Sequence, residues 1–238
     1  MKGLLTRALI ALCLPLVAAA AAGAATVAPA LSVDLTIGIG EATTNTIVAT
    51  TAPSTTTTGA YDGSATVNLG SDTVAITLCV KPDPFITSSF TITNGSTTTQ
   101  TFSLLSILPV APPLAAPSLM NGHISGTVTD GNSNGATVST NGTNPLYQGW
   151  IDGSVVASTA LYPDPLSWSA GAIPYASFTN LPGGAVSNNI GIKLNFTLSA
   201  GDSVTLDSFF EVVPVPEPAS LGLVGIVLLG FAAARRRA

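Results

Sequence analysis

Positive charge is what this sequence has least of. Its 238 residues include 7 lysines and arginines against 12 acids, and Lys2, Arg7, Arg235, Arg236 and Arg237 all lie at the two ends. Between them only Lys81 and Lys193 remain, while every acid falls between Asp34 and Glu217. A body this acidic has no electrostatic footprint for a phosphate backbone or an anionic lipid surface, so nucleic acid is not an expected partner. Histidine and cysteine are nearly as scarce. His123 is the one histidine, and Cys13 falls in the N-terminal apolar run, which leaves Cys79 alone in the body with no internal disulfide to form. Cys79 sits in the apolar stretch 74–80. A buried, inert thiol is the expectation there, and an intermolecular bridge or a nucleophile the sharper alternative. Neither Cys79 nor His123 has motif context. Zinc-ligand spacing, a nucleophile elbow, a phosphate loop and a dinucleotide fingerprint are all missing, so neither a cofactor nor an enzymatic role is expected. Helical periodicity over three turns is also missing outside the two ends.

The ends themselves are informative. Residues 1–25 carry Lys2 and Arg7, then an apolar run through Leu9, Ile10, Leu12, Leu14, Leu16 and Val17, then the small residues Ala22, Gly23, Ala24 and Ala25. That order reads as a secretory signal peptide with cleavage after Ala24 or Ala25, which makes signal peptidase a partner and places the body outside the cytoplasm. The other end reads Pro216-Glu217-Pro218, an uncharged apolar run to Ala234, and Arg235-Arg236-Arg237. At 1.5 Å per residue a helix over 218–234 is about 26 Å long, just enough for a hydrocarbon core of about 30 Å. Arginines directly behind such a helix anchor it on the cytoplasmic side. The prolines in front fix φ and lack donors, so the helix does not extend back through them.

This tail resembles the PEP-CTERM sorting signal of exported proteins from Gram-negative bacteria. Pro216, Glu217 and Pro218, the transmembrane helix 219–234, and the cytoplasmic anchor Arg235, Arg236 and Arg237 match it in order and spacing. The resemblance implies an exosortase as partner, an intramembrane cysteine protease that reads the motif and removes the anchor. It also implies an inner-membrane intermediate and a body then released or passed to the cell surface, usually in bacteria that make exopolysaccharide and biofilm. Exopolysaccharide is therefore a further candidate partner. The expected division is a signal peptide at 1–25, an exported domain at 26–213 and a sorting segment at 214–238.

Within the body, apolar residues alternate with Thr, Ser and Asn. Leu31, Val33, Leu35, Ile37 and Ile39 share one face, and branching at Cβ suits Val and Thr to a pleated surface. Further strands are predicted over 65–69, 73–80, 85–93, 99–108, 124–129, 136–140, 147–158, 175–181, 188–199 and 204–213, the last two forming a terminal hairpin through Gly201-Asp202. Residues 50–59, TTAPSTTTTG, read as a loop, and Asp62-Gly63 and Asn94-Gly95-Ser96 as turns. The proline-rich stretch 109–117 is a connection between halves or a crossover between sheets. The fold class expected is all-β, a single sandwich of about 8–12 short antiparallel strands.

Few residues in the body suggest binding chemistry. Asp130-Gly131-Asn132-Ser133-Asn134-Gly135 matches the first six places of a calcium loop, which makes Asp130, Asn132 and Asn134 weak metal candidates. The twelfth place is Asn141 rather than a bidentate Glu, and the same residues make an ordinary turn between strands 124–129 and 136–140. Trp150 and Trp168, with Tyr147, Tyr162 and Tyr175 nearby, are candidates for stacking on sugar rings, although core packing is the commoner use of such residues. The pairs Asp152/Asp164 and Asp202/Asp207 could serve glycoside hydrolysis only if folding brought each pair together beside a proton donor.

Overall fold

The computed structural model describes residues 31–37, 43–49, 51–81 and 83–215, with side chains from Thr51 onward. The signal peptide expected at 1–25, and all of the sorting segment expected at 214–238 beyond Val215, including the helix expected at 219–234, lie outside the described residues. Among the described residues no helix is long and apolar enough to cross a membrane, and the regular structure is β apart from one 3-10 turn, Ala157–Thr159.

Two antiparallel sheets carry the fold. Sheet I holds β1 (Leu31–Ile37), β2 (Thr43–Ala49), β7 (Gln100–Pro109), β9 (Thr137–Thr140), β10 (Tyr147–Ile151), β11 (Ser154–Val155), β12 (Ser167–Ser169) and β14 (Asn189–Leu198). Sheet II holds β3 (Thr51–Pro53), β4 (Tyr61–Leu69), β5 (Asp72–Lys81), β6 (Phe85–Thr93), β8 (Ser118–Thr129), β13 (Gly171–Gly183) and β15 (Ser203–Pro214). In sheet I the order is β11-β10-β14-β7-β1-β2, with β9 also on β14 and β12 on β9; in sheet II it is β13-β8-β15-β6-β5-β4-β3.

The two sheets face each other because each strand puts one alternate set of side chains into the same core. From β14, Ile190, Ile192, Leu194, Phe196 and Leu198 are fully buried, opposed on sheet II by Val204, Leu206, Phe210 and Val212 of β15. Phe102 and Phe196 stack with centroids 5.4 Å apart. Each such side chain withdrawn from water contributes about 1.5–3 kcal/mol. Two contacts fix the sheets to each other. The buried Tyr147 of β10 donates its hydroxyl to the Phe209 carbonyl of β15 at 2.7 Å. The Phe210 ring fills the place beside Gly149, where a Cβ would lie 2.8 Å from it.

Several sequence expectations change. Asp62-Gly63 is not a turn; both residues lie within β4, opposite Cys79 and Leu78. The reversal comes at Gly70-Ser71, where Gly70 takes φ 64, as a first central position of a tight hairpin requires. The loop 50–59 begins with a strand, since Thr51, Ala52 and Pro53 pair with Gly63, Asp62 and Tyr61 at the sheet edge. The predicted strand 147–158 is a hairpin of β10 and β11 and then a 3-10 turn. Asp152 and Gly153, at φ 46 and 91, supply the two left-handed positions of its two-residue loop. Among the described residues strands number fifteen rather than 8–12, the excess being short edge pieces such as β3, β11 and β12.

The largest change concerns pairing. Val204–Val213 does not fold back on 188–199: β15 pairs with β6 and β8 in sheet II, while β14 stays in sheet I. The turn at 130–135 likewise joins β8 to β9 across the sandwich, and the turn at 94–96 joins β6 to β7. These three crossovers converge at one pole. The Asn94 side chain, fully buried, donates to the carbonyls of Thr98, Leu198 and Ser199 at 2.9, 2.8 and 3.0 Å. The Asp202 carboxylate accepts the Gly131 N–H and the Ser199 hydroxyl. The proline-rich stretch is a crossover too, leading from β7 to β8.

Candidate functional site

The C-terminal end of β15 delivers the sorting segment. β15 is a central strand, paired with β6 on one side as far as Glu211 and with β8 on the other as far as Pro214, opposite Ser118. The next residue, Val215, still donates its N–H to the Pro117 carbonyl at 3.1 Å. Pro216, Glu217 and Pro218 then follow with no intervening spacer, and with Arg235, Arg236 and Arg237 they lie outside the described residues.

The body's candidate residues are spread over several strands among the described residues. Cys79, Thr87, Phe209 and His123 stand in one register row across β5, β6, β15 and β8, so two strands separate the thiol from the imidazole. At about 4.8 Å per strand that places them roughly 14 Å apart. Cys79 is half-buried rather than buried as expected, and burial, then the hydrogen bond and charge of Asp62, push its thiol pKa up. Asp152 stands at one end of β14, its N–H bonded to the Asn189 carbonyl. Asp164 stands towards the other end, its carbonyl accepting from Thr140, which pairs with Phe196. The Asp152 carboxylate accepts the backbone N–H groups of Ser187, Asn188 and Asn189 at 2.7, 2.7 and 3.0 Å. Burial raises its pKa, but those donors outweigh it and hold the group below the usual carboxylate range. Asp202 is buried in the crossover pole, whereas Asp207 is exposed in mid-sheet, five residues along β15.

In the calcium-like loop the Asp130 carboxylate takes the N–H groups of Asn132, Ser133 and Gly135 at 3.2, 2.7 and 2.9 Å. The Gly135 donor first, then those of Ser133, Asn132 and Asn134, hold its pKa low against the opposing effect of burial. Asn132 donates to the Ala200 carbonyl and accepts from the Asn134 N–H. These oxygens therefore close their own turn, and among the described residues no group of three or more His, Cys, Asp or Glu is placed to hold a metal.

The two tryptophans point to opposite faces of sheet I. Trp150 pairs with Gly191 on the outer face, its Cβ 3.3 Å from where a Gly191 Cβ would be, and among the described residues its buried indole N–H has no partner. Trp168 pairs with the buried Val138 and packs edge-on to Tyr162, centroids 5.0 Å apart. They share no platform for a sugar. Of the stacking candidates only Tyr175 belongs to a different aromatic set, on the outer face of sheet II, whose Phe85 and Phe209 carry no signal of their own in the sequence. There Tyr175, His123, Phe209 and Phe85 contact in series at 5.2, 5.1 and 5.4 Å between centroids, ending at Lys81 over Phe85. Burial lowers the pKa of His123, and Asp207 partly opposes it. Beside the row lies a depression of about 360 Å³ lined by Asp62, Cys79, Thr87, Ser89, His123 and Asp207, so the thiol and the imidazole border one depression although two strands separate them. The signal for this row was position: each of the four holds an outward place on a strand of hydroxyl residues.

Comparison with known families bears on the end of β15. Residues 214–237 match the PEP-CTERM protein-sorting motif. The matched PEP-CTERM segment therefore begins at Pro214, the last residue of β15, so fold and sorting signal meet without a gap. A PEP-CTERM motif implies processing by an exosortase and a protein that is membrane-associated and then exported. No curated protein matches the chain.

Proposed function

We infer that this chain is an exported, non-enzymatic structural protein of the cell surface or the biofilm and exopolysaccharide matrix, processed by an exosortase at Pro216-Glu217-Pro218. The observation that carries the reading is the sorting-motif match at 214–237, contiguous with the two-sheet body. The uses of Asp130, Asp152 and Asp202 in closing loops, and the separation of Cys79 from His123, support a passive role for that body. The test is expression with and without an exosortase, for the natural chain and for a chain lacking 216–218. A shortened product at the surface is expected only when both motif and protease are present. Identical processing without the tripeptide would sink the sorting reading.

A second reading, carbohydrate binding, is favoured by one observation: Tyr175 is 64% exposed at the end of the aromatic row, next to the hydroxyl-lined depression. Aromatic faces beside hydroxyls and carboxylates suit sugar rings. In a pull-down on the organism's own polysaccharide, Tyr175→Ala should lose retention, whereas Trp150→Ala and Trp168→Ala should keep it. Retention by all three would remove this reading.

A further inference from the structure

The body has a pole that the sorting segment forces toward the membrane. β15 reaches it at Pro214, and Val215 is still held by the Pro117 carbonyl. The sorting motif begins at that same residue, Pro214. From Val215 to Ala219, where the expected anchoring helix starts, the chain can span at most about 14 Å even when fully extended. The polar layer of one leaflet takes up about 5–7 Å of that distance. What is left, roughly 7–9 Å, is too short for the body to turn another side toward the headgroups.

The chemistry of the pole agrees. Its outermost segment is the crossover 110–117, in which Ala111, Pro112, Pro113, Ala115, Ala116 and Pro117 are exposed and uncharged. The loop after β13 adds the exposed Gly184 and Ala185. Among the described residues the charges near this tip are Asp83 and Asp152, with Lys81 and Glu211 a few residues further in along β5 and β15, and Asp152 is tied up by three backbone N–H groups. Asp72, Asp130 and Asp202 stand at the opposite pole, roughly 35 Å away along twelve residues of β15 and well beyond a Debye length. The acidic body thus turns an uncharged crossover to the lipid. β1 also starts at this pole, Ser32 opposite Ile107, so the described body is left toward both chain ends on one side.

We propose that the 110–117 crossover and the loop after β13 form a membrane-facing surface, seated in the headgroup layer by the short tether while the sorting segment anchors the chain. The proposal rests on the sorting reading above. It is tested on the full chain reconstituted in phosphatidylcholine vesicles that contain a headgroup nitroxide lipid, with Cys13 and Cys79 replaced by Ser. A single fluorescent probe is placed at Ala115→Cys or, on the opposite pole, at Ser71→Cys; both sites are exposed. The probe at Ala115 should be quenched and the probe at Ser71 should not. A long Gly-Ser spacer between Val215 and Pro216 should abolish quenching at Ala115 while the protein still floats with the vesicles. Equal quenching at both sites, or quenching at Ala115 that the spacer leaves unchanged, overturns the proposal. Failure of the unspaced chain to float at all removes the sorting reading and this proposal with it.

Discussion

Asn94 shows how much a single side chain can hold. It is fully buried, its amide donates to three carbonyls from two connections, and its Oδ1 accepts the Ser96 N–H and hydroxyl. Its own N–H and C=O bond the Asp202 carbonyl and the Gly201 N–H. Asn94→Ala leaves buried carbonyls unpaired, so urea unfolding should show a loss of about 2–4 kcal/mol. In the sequence Asn94 announces a turn, which it makes, but nothing local says that its partners lie a hundred residues on. His123 offers a second residue-scale check. Its ring lies between Tyr175 of β13 and Phe209 of β15, with Asp207 the acid facing it. With its folded pKa depressed, the native protein resists a proton that the unfolded chain accepts below about pH 6.5. Stability from this site is complete above that pH and declines as pH falls toward the folded value. His123→Phe keeps the stack and should flatten that part of the stability–pH curve, as read from urea midpoints.

Among the elements, strands were legible and their partners were not. The alternation of Ile190, Ile192, Leu194, Phe196 and Leu198 is visible in the sequence because burial on one side demands a period of two. The pattern of β15 is the same, and a strand buried on one face looks alike whether its neighbour in sequence lies beside it or opposite it. A short turn at Gly201-Asp202 fits both arrangements, and Asn94, Asn132 and Asp202 decide for the crossover through contacts remote in sequence. Edge strands carry a further consequence. The outer edges of sheet II are β3, which contains Pro53, and β13, which contains Pro174 and Pro182 and two register shifts against β8. Prolines remove donors, and irregular register bends the edge away from a would-be partner. Fibre growth by strand addition is thereby discouraged on both sides of this sheet. Replacing Pro174 and Pro182 together by Thr should expose a regular edge, and concentration-dependent association should appear in light scattering where the natural chain shows none.

For the molecule as a whole, the sorting segment could be recognised from sequence because it is a composite of three unlike parts in fixed order, while the body has one repeated texture. Thr and Ser on outward positions, such as Thr87, Ser89, Thr91 and Thr93 of β6, keep a sheet face wet without naming a ligand. What the fold adds is where processing can act without damage. All of β15 lies before Pro216, so removing the tail takes no strand residue and no core side chain. A chain ending at Val215 should therefore unfold at the same urea midpoint as the full body. Ending the chain at Ser208 instead removes the buried Phe210 and Val212 from the centre of sheet II and strips β6 and β8 of partners. Losses of about 2–5 kcal/mol for each large core side chain, set against a total stability of about 5–15 kcal/mol, leave no margin for the native state. That shorter chain should show no cooperative transition, and a sharp transition in it would mean that β15 is not the strand on which the second sheet depends.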